Sequence, residues 1–228
     1  MQHIYIELII KKEKSMKKFL TAIVAILLAA PSFAQYSSGG FSLSEENLYF
    51  GARFGITSAT LSKDIYKDRF SDLGARTGMT LGGVIGLRAS NTVPVFIESG
   101  FYYTERGAKK GKNVISYNNI EIPVIVKYGL KATDDIAILP FLGPYFSYAI
   151  SGKCKGEVNG ESISDGAFDE KKWNALRRAN MGVKLGVGAE YNKLYLEIGY
   201  QIGITDVCKN EGVSGRSNAF FANFGVNF

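Results

Sequence analysis

Histidine is almost absent from this chain: His3 is the single imidazole among 228 residues. That scarcity excludes a Ser-His-Asp or Cys-His catalytic site, and any His-ligated zinc centre, in everything that follows residue 3. Proline (5), cysteine (2) and tryptophan (1) are also scarce. Beyond residue 35 there is no run of 18 apolar residues, so a helical membrane span is excluded there. No glycine-rich phosphate loop, metal-ligand cluster or internal repeat occurs, and no cofactor is implied. Glycine (26), phenylalanine (15) and tyrosine (13) are plentiful by contrast. With a mean hydropathy of +0.01, this composition suits a chain whose residues alternate between lipid and water.

The first residues read as a targeting segment. Lys17 and Lys18 precede an apolar stretch from Phe19 to Ala30, and Pro31-Ser32-Phe33-Ala34 ends it with small residues before Gln35. This is the pattern of a cleavable signal peptide, residues 1–34, with Met16 an alternative start. Residues 35–47 are then a short periplasmic segment and 48–228 the folded part. Five Lys and two Glu leave with the signal, so 22 basic and 19 acidic groups remain, a net charge of +3. Charge this mild and scattered excludes nucleic acid as a partner.

From Leu48 onward the chain repeats a stretch of about ten residues with period-2 alternation, followed by a connection. Eight such segments are predicted: Leu48–Thr57, Met79–Ala89, Val93–Thr104, Asn119–Gly129, Ile136–Ile150, Met181–Glu190, Leu194–Gln201 and Ala219–Phe228. The fifth is the least regular, being apolar on both parities. In the others one parity is apolar, while the opposite one is rich in glycine. That second parity also carries Arg53, Arg88, Glu98, Glu121, Lys127, Lys184, Glu190 and Glu197. A soluble barrel points its apolar parity inward, whereas a membrane barrel turns it to lipid. A solvated outer face would show many Lys, Glu and Thr and few Gly. The expected fold is therefore all-β: an eight-stranded antiparallel transmembrane β-barrel, with the eight charges forming a network in its lumen.

The connections point the same way. Residues 90–92, 131–135 and 192–193 are short, whereas 58–78, 151–180 and 205–217 are long, and Glu105–Asn113 is the shortest loop of the long side. Short turns on the periplasmic rim and long loops outside are the membrane-barrel pattern. Phe228 lies on the lipid-facing parity. Pro94, Pro123, Pro140 and Pro144 fall inside predicted strands, where each removes a ladder donor; this runs against the strand reading, a bulge being one way to accommodate it. Cys154 and Cys208 are the only cysteines, and in an oxidising compartment they are candidates for a disulfide across the outer mouth. Candidate loop contacts are Tyr66, Phe70, Phe168 and Trp173, aromatic residues among charges, together with the basic tip Lys109, Lys110 and Lys112.

Two stretches carry a family resemblance: Phe96-Ile-Glu-Ser-Gly-Phe-Tyr-Tyr-Thr-Glu-Arg-Gly-Ala-Lys109 and Tyr117-Asn-Asn-Ile-Glu-Ile-Pro-Val-Ile-Val-Lys-Tyr128. They resemble the PorT-like outer-membrane β-barrel family of Bacteroidota, the second through its Glu-Ile-Pro core followed by Lys-Tyr. Gly182 to Gly203 is similar to that family's glycine-rich sixth and acidic seventh strands. The resemblance implies a small outer-membrane barrel, and PorT is linked to type IX secretion, although such motifs describe architecture more than role.

Inward carboxylates at barrel spacing could serve glycoside hydrolysis. Four acids and four bases in one narrow lumen instead pair off and fill it, so a non-enzymatic protein is expected. Eight strands enclose an interior that side chains fill, and Tyr49, Phe96, Tyr102, Tyr145, Tyr195 and Phe221 also share the inward parity. The expected function is a monomeric outer-membrane barrel displaying loops, its partners being membrane lipid and lipopolysaccharide or an envelope protein. The alternative is transport-related: a narrow pore, or an accessory component of a type IX-like secretion machine.

Overall fold

The computed structural model describes residues 48–61, 74–90, 92–111, 113–133, 135–158, 161–168, 176–207 and 215–228. Ten strands form one antiparallel sheet: β1 (Leu48–Leu61), β2 (Gly74–Arg88), β3 (Val95–Lys110), β4 (Asn113–Tyr128), β5 (Leu130–Lys131), β6 (Ile136–Val158), β7 (Glu161–Gly166), β8 (Ala179–Tyr191), β9 (Leu194–Gly203) and β10 (Ser217–Asn227). Eight of these make the wall. β5 is a two-residue strand after β4, and β7 is a short hairpin partner of β6. Each wall strand pairs with the next in sequence, β4 pairs with β6, and β1 closes on β10 from Gly51↔Asn227 to Leu61↔Ser217. The result is a closed eight-stranded antiparallel barrel.

The two parities part cleanly across the wall. Outside lie Phe50, Phe54, Ile56, Leu81, Ile85, Val126, Leu142, Leu185, Leu196 and Phe224, all exposed, with Met79 and Phe101 each 67% exposed. Exposure on this scale is intelligible only where lipid is the solvent. Inside lie the glycines and the charges. Gly182 and Gly143 show why glycine is needed on that side: a Cβ at Gly182 would run into the Ile202 carbonyl and the Tyr145 ring, and one at Gly143 into the Val124 carbonyl. A tightly curved wall brings the next strand's backbone across the inward side of each residue, and large neighbouring side chains take the remaining space.

The short turns gather on one rim. β8 and β9 are joined through Asn192, at φ 53°, a conformation Asn tolerates better than most residues. At the four-residue turn between β5 and β6, the Ile136 amide donates to Thr133 Oγ1 and the Ala132 amide to the Ile136 carbonyl. Pro94 sits just ahead of β3, where no wall bond is lost. The other prolines do not use bulges. The β3–β4 pairing lapses at Gly100–Phe101 against Ile122–Pro123, and the β4–β6 pairing at Val124–Ile125 against Gly143–Pro144, with the register unchanged on either side. Ser99 Oγ donates to the Pro123 carbonyl at 2.8 Å beside the first lapse. The register shifts lie elsewhere, between Ala75 and Thr80 and between Asn118 and Asn119.

On the other rim the wall stands taller than the alternation predicts. Glu105–Asn113 is not a nine-residue loop. β3 runs to Lys110 and β4 starts at Asn113, with Gly111 at φ 56° in the tight turn between them. The 151–180 connection likewise holds the end of β6 and all of β7, paired from Lys153↔Gly166 to Val158↔Glu161.

Candidate functional site

The lumen is built by the inward parity of every wall strand. Its buried charges are four cations (Arg53, Arg106, Lys127, Lys184) and four carboxylates (Glu98, Glu121, Glu190, Glu197). They form three tiers.

Nearest the short-turn rim, Glu98 Oε2 accepts from Tyr49 OH at 2.7 Å, Lys127 Nζ at 2.7 Å and Arg53 Nη2 at 3.3 Å. Lys127 also donates to Tyr195 OH at 2.9 Å, and the Arg53 guanidinium lies 4.2 Å over the Tyr195 ring. Arg53 donates to Asn227 Oδ1 at 2.6 Å, and Asn227 Nδ2 donates to Glu190 Oε2 at 2.8 Å. In the middle tier Lys184 meets Glu197 at 3.5 Å, and its ammonium sits 4.7 Å from the Tyr102 ring centre and 4.4 Å from that of Phe221. Asn223 Nδ2 donates to Glu197 at 2.7 Å. In the outer tier Arg106 pairs with Glu121 at 2.6 Å, and Gln201 accepts from Arg106 while donating to Glu121. Charges this deeply buried persist only when paired and hydrogen-bonded.

Seven of the eight residues expected in the lumen therefore meet there. The eighth, Arg88, is half-buried at the short-turn rim, where its Nε donates to the Ser90 carbonyl at 2.9 Å. The fourth buried base is Arg106, which the sequence reading left in a loop. Its signal was present, because Arg106 shares parity with Tyr102 and Thr104 and Tyr117 faces it across the hairpin. The amides Gln201, Asn223 and Asn227, which finish the network, have no sequence signature beyond parity.

Apolar packing closes the space around these tiers. Tyr49, Phe96, Ala137, Leu139 and Tyr195 cluster toward the short-turn rim, and Ile125, Phe141 and Phe221 at mid-height. This is why the fifth segment is apolar on both parities: Ala137, Leu139 and Phe141 fill the lumen while Ile138 and Leu142 face outward. At the outer mouth Leu61, Ala108, Ile115, Tyr117, Ala149, Ala167, Leu176 and Val207 form a third cluster, with Cys154 and Phe168 packed against it. The cavity beside it, lined by Tyr117, Ser147, Phe168, Leu176, Asn180 and Val207 among others, has a volume of about 10 Å³. That is room for about one water molecule.

Phe168 belongs to this packing. It is half-buried against the mouth cluster, and the Arg178 guanidinium stacks 4.5 Å from its ring centre. Lys109 is exposed on β3. Lys110 occupies the last position of β3, its side chain lying outside what is described. Tyr66, Phe70, Lys112, Trp173 and Cys208 lie outside the described residues, as does the segment 1–47. Cys154 stands on the inward side of β6, opposite Ile115 of β4 and Asp165 of β7.

A closed sheet with an apolar outer belt and a charged, filled interior defines an outer-membrane type of β-barrel. The chain belongs to the outer membrane protein beta-barrel domain family, whose profile matches residues 33–209, and it is an outer-membrane protein. No curated protein matches it. Among solved structures it is similar to Neisserial surface protein A, at 18% identity over 80% of this chain and 98% of that one, with a TM-score of 0.45. It is also similar to Ail, the attachment invasion locus protein of Yersinia pestis, at 14% identity, 80% and 100% coverage and a TM-score of 0.38. A third is a major outer membrane protein from Thermus thermophilus, at 13% identity, 80% and 100% coverage and a TM-score of 0.45.

Proposed function

We propose that this protein is a non-enzymatic, non-conducting outer-membrane barrel that holds its extracellular segments above the membrane for an envelope or extracellular partner. The observation that carries this reading is the occupied lumen: among the described residues, three tiers of buried charges and three apolar clusters fill the interior from the short-turn rim to the opposite mouth. Every buried charged side chain of the interior is engaged by neighbours from other strands. Its carboxylates are therefore committed to pairing, with no open cleft in which a substrate would sit. Planar-bilayer recording on the purified barrel tests it. No unitary current is expected at moderate voltage, and steady single-channel conductance would overturn it.

A second reading has one specific support. The stretches Phe96–Lys109 and Tyr117–Tyr128, which resemble PorT-like barrels, contribute Glu98, Arg106, Glu121 and Lys127 to the lumen. If the resemblance extends to role, the protein is an accessory component of a type IX-like secretion machine. Affinity purification from native membranes separates the readings: stoichiometric recovery of secretion components favours the second, and recovery alone or with a surface partner favours the first.

A further inference from the structure

We propose that the raised wall of β3, β4 and β6 carries, on its outward face, a docking surface for the phosphate groups of outer-leaflet lipid A. Three lysines define it: Lys109 on β3, and Lys153 and Lys155 on β6, all exposed. The register sets their spacing. Lys109 and Lys155 flank Val114 in one cross-strand row, and Lys153 flanks Ser116 in the row below. With strands about 4.8 Å apart and residues about 3.3 Å apart, the Cα atoms of Lys109 and Lys155 are separated by about 10 Å and those of Lys153 and Lys155 by about 7 Å. Three flexible ammonium groups on that triangle can converge on one phosphate.

The rows themselves contain no acid. Their other members are Gly74 and Ser164 in the first and Gly107 and Gly166 in the second. The next position of the same parity on β6, two residues beyond Lys155, is Glu157, and on β3 the flanking acid is Glu105, half-buried beside Asn118. Elsewhere on the rim the corresponding outward positions of β1, β2 and β10 are uncharged: Ser58, Thr60, Thr77 and Asn218. Exposed arginines elsewhere on this rim stand just ahead of strands, Arg177 and Arg178 before β8 and Arg216 before β10, whereas the three lysines share one outward strand face.

Height selects the partner. Below the lysines on the same face of β6 come the exposed residues Ile150, Tyr148 and Phe146, part of the lipid-facing belt. Lys153 is three residues past Ile150, about 10 Å along the strand before any tilt. Cations just above an apolar belt, on stems that can lie along it, meet the charged layer of the headgroups. In the outer leaflet that layer is the phosphorylated sugar of lipid A. The surface continues the membrane interface and does not depend on whether the lumen conducts.

The test uses the full-length barrel, folded in detergent, titrated with purified lipid A and with the same lipid dephosphorylated. Lipid A should bind the parent about tenfold or more tightly than the dephosphorylated lipid, and binding should weaken as salt rises. The variant K109Q/K153Q/K155Q should lose that preference, while K109R/K153R/K155R keeps it. All three positions are exposed, so both variants should retain the parent's mobility shift on boiling. Equal affinity of the parent for the two lipids, or an unchanged preference in the glutamine variant, would overturn the proposal. Full displacement of lipid A by inorganic phosphate would reassign the surface to a soluble anion and overturn it too. A conducting barrel that still prefers lipid A would refute only the closed-lumen reading, and a silent barrel blind to the phosphates only this one.

Discussion

Glu98 is the point at which the interior is easiest to break. Its Oε2 receives Tyr49, Lys127 and Arg53 at 2.7, 2.7 and 3.3 Å, and both cationic side chains are fully screened from solvent. Glu98→Gln preserves shape and removes the charge, leaving two buried cations facing an amide. Breaking a buried ion pair from one side costs about 3–5 kcal/mol. Arg53 keeps its bond to Asn227, and Lys127 its bond to Tyr195, so the lower half of that range is expected. A second change, Lys127→Met, restores neutrality and should recover about 1–3 kcal/mol, the coupling expected for two side chains in one network. Urea titration in detergent micelles, read as the fraction keeping the compact unboiled gel mobility, measures both. Glu105→Gln, on the outward face, serves as a control and should change stability by no more than about 0.5 kcal/mol. A cost below about 1 kcal/mol for Glu98→Gln, or a double variant as unstable as the sum of its singles, would refute the claim that charge pairing holds this tier.

The same titration checks the wall. Gly182→Val drives a side chain into the Ile202 carbonyl and the Tyr145 ring and should cost about 1–3 kcal/mol, whereas at Gly83 the nearest atom to a new Cβ is 3.9 Å away, so Gly83→Ala should be neutral within about 0.5 kcal/mol. Leu142→Arg places a charge on the lipid face six residues from the start of β6 and should cost about 2–4 kcal/mol. Cys154 packs against the mouth cluster to which Val207 belongs, and Cys208 follows Val207 in the sequence. A Cys154–Cys208 disulfide is therefore expected. Alkylation of the unreduced, denatured protein should modify neither cysteine, and two labels per chain would exclude the bond.

Legibility in the sequence followed the solvent. Within the lipid layer the outer parity must be apolar, so alternation marks strands such as Leu194–Gln201 cleanly, and it also tells inside from outside. Above that layer the outer parity faces water and the constraint disappears. The strand Glu105–Lys110 carries Glu105, Gly107 and Lys109 outward and Arg106 and Ala108 inward, which reads as a basic loop. Arg106 was lost for that reason, and with it the outer tier. Arg88 shows a second limit: parity gives the face of a residue but not its depth, and at the end of a strand an inward side chain reaches the rim. The prolines show a different limit, since a ladder can drop two rungs without changing register, and no local pattern announces that. Ala137, Leu139 and Phe141 blurred the fifth segment because an apolar interior and an apolar exterior look alike along one strand.

The pairs in the lumen join residues far apart along the chain: Arg53 with Glu98, Arg53 with Asn227 and Arg106 with Gln201. Arg53 stands on the first strand and Asn227 on the last, so that hydrogen bond crosses the seam where the sheet meets itself, and Asn227 passes the connection on to Glu190 of β8. An open sheet on its way into the membrane has these groups but not their partners, and each unmatched charge opposes entry into lipid. The interior therefore works as a latch that engages only at completion. Intermediates with a gap between β1 and β10 are disfavoured twice over, by unpaired backbone and by unpaired charge, and assembly becomes nearly all-or-none.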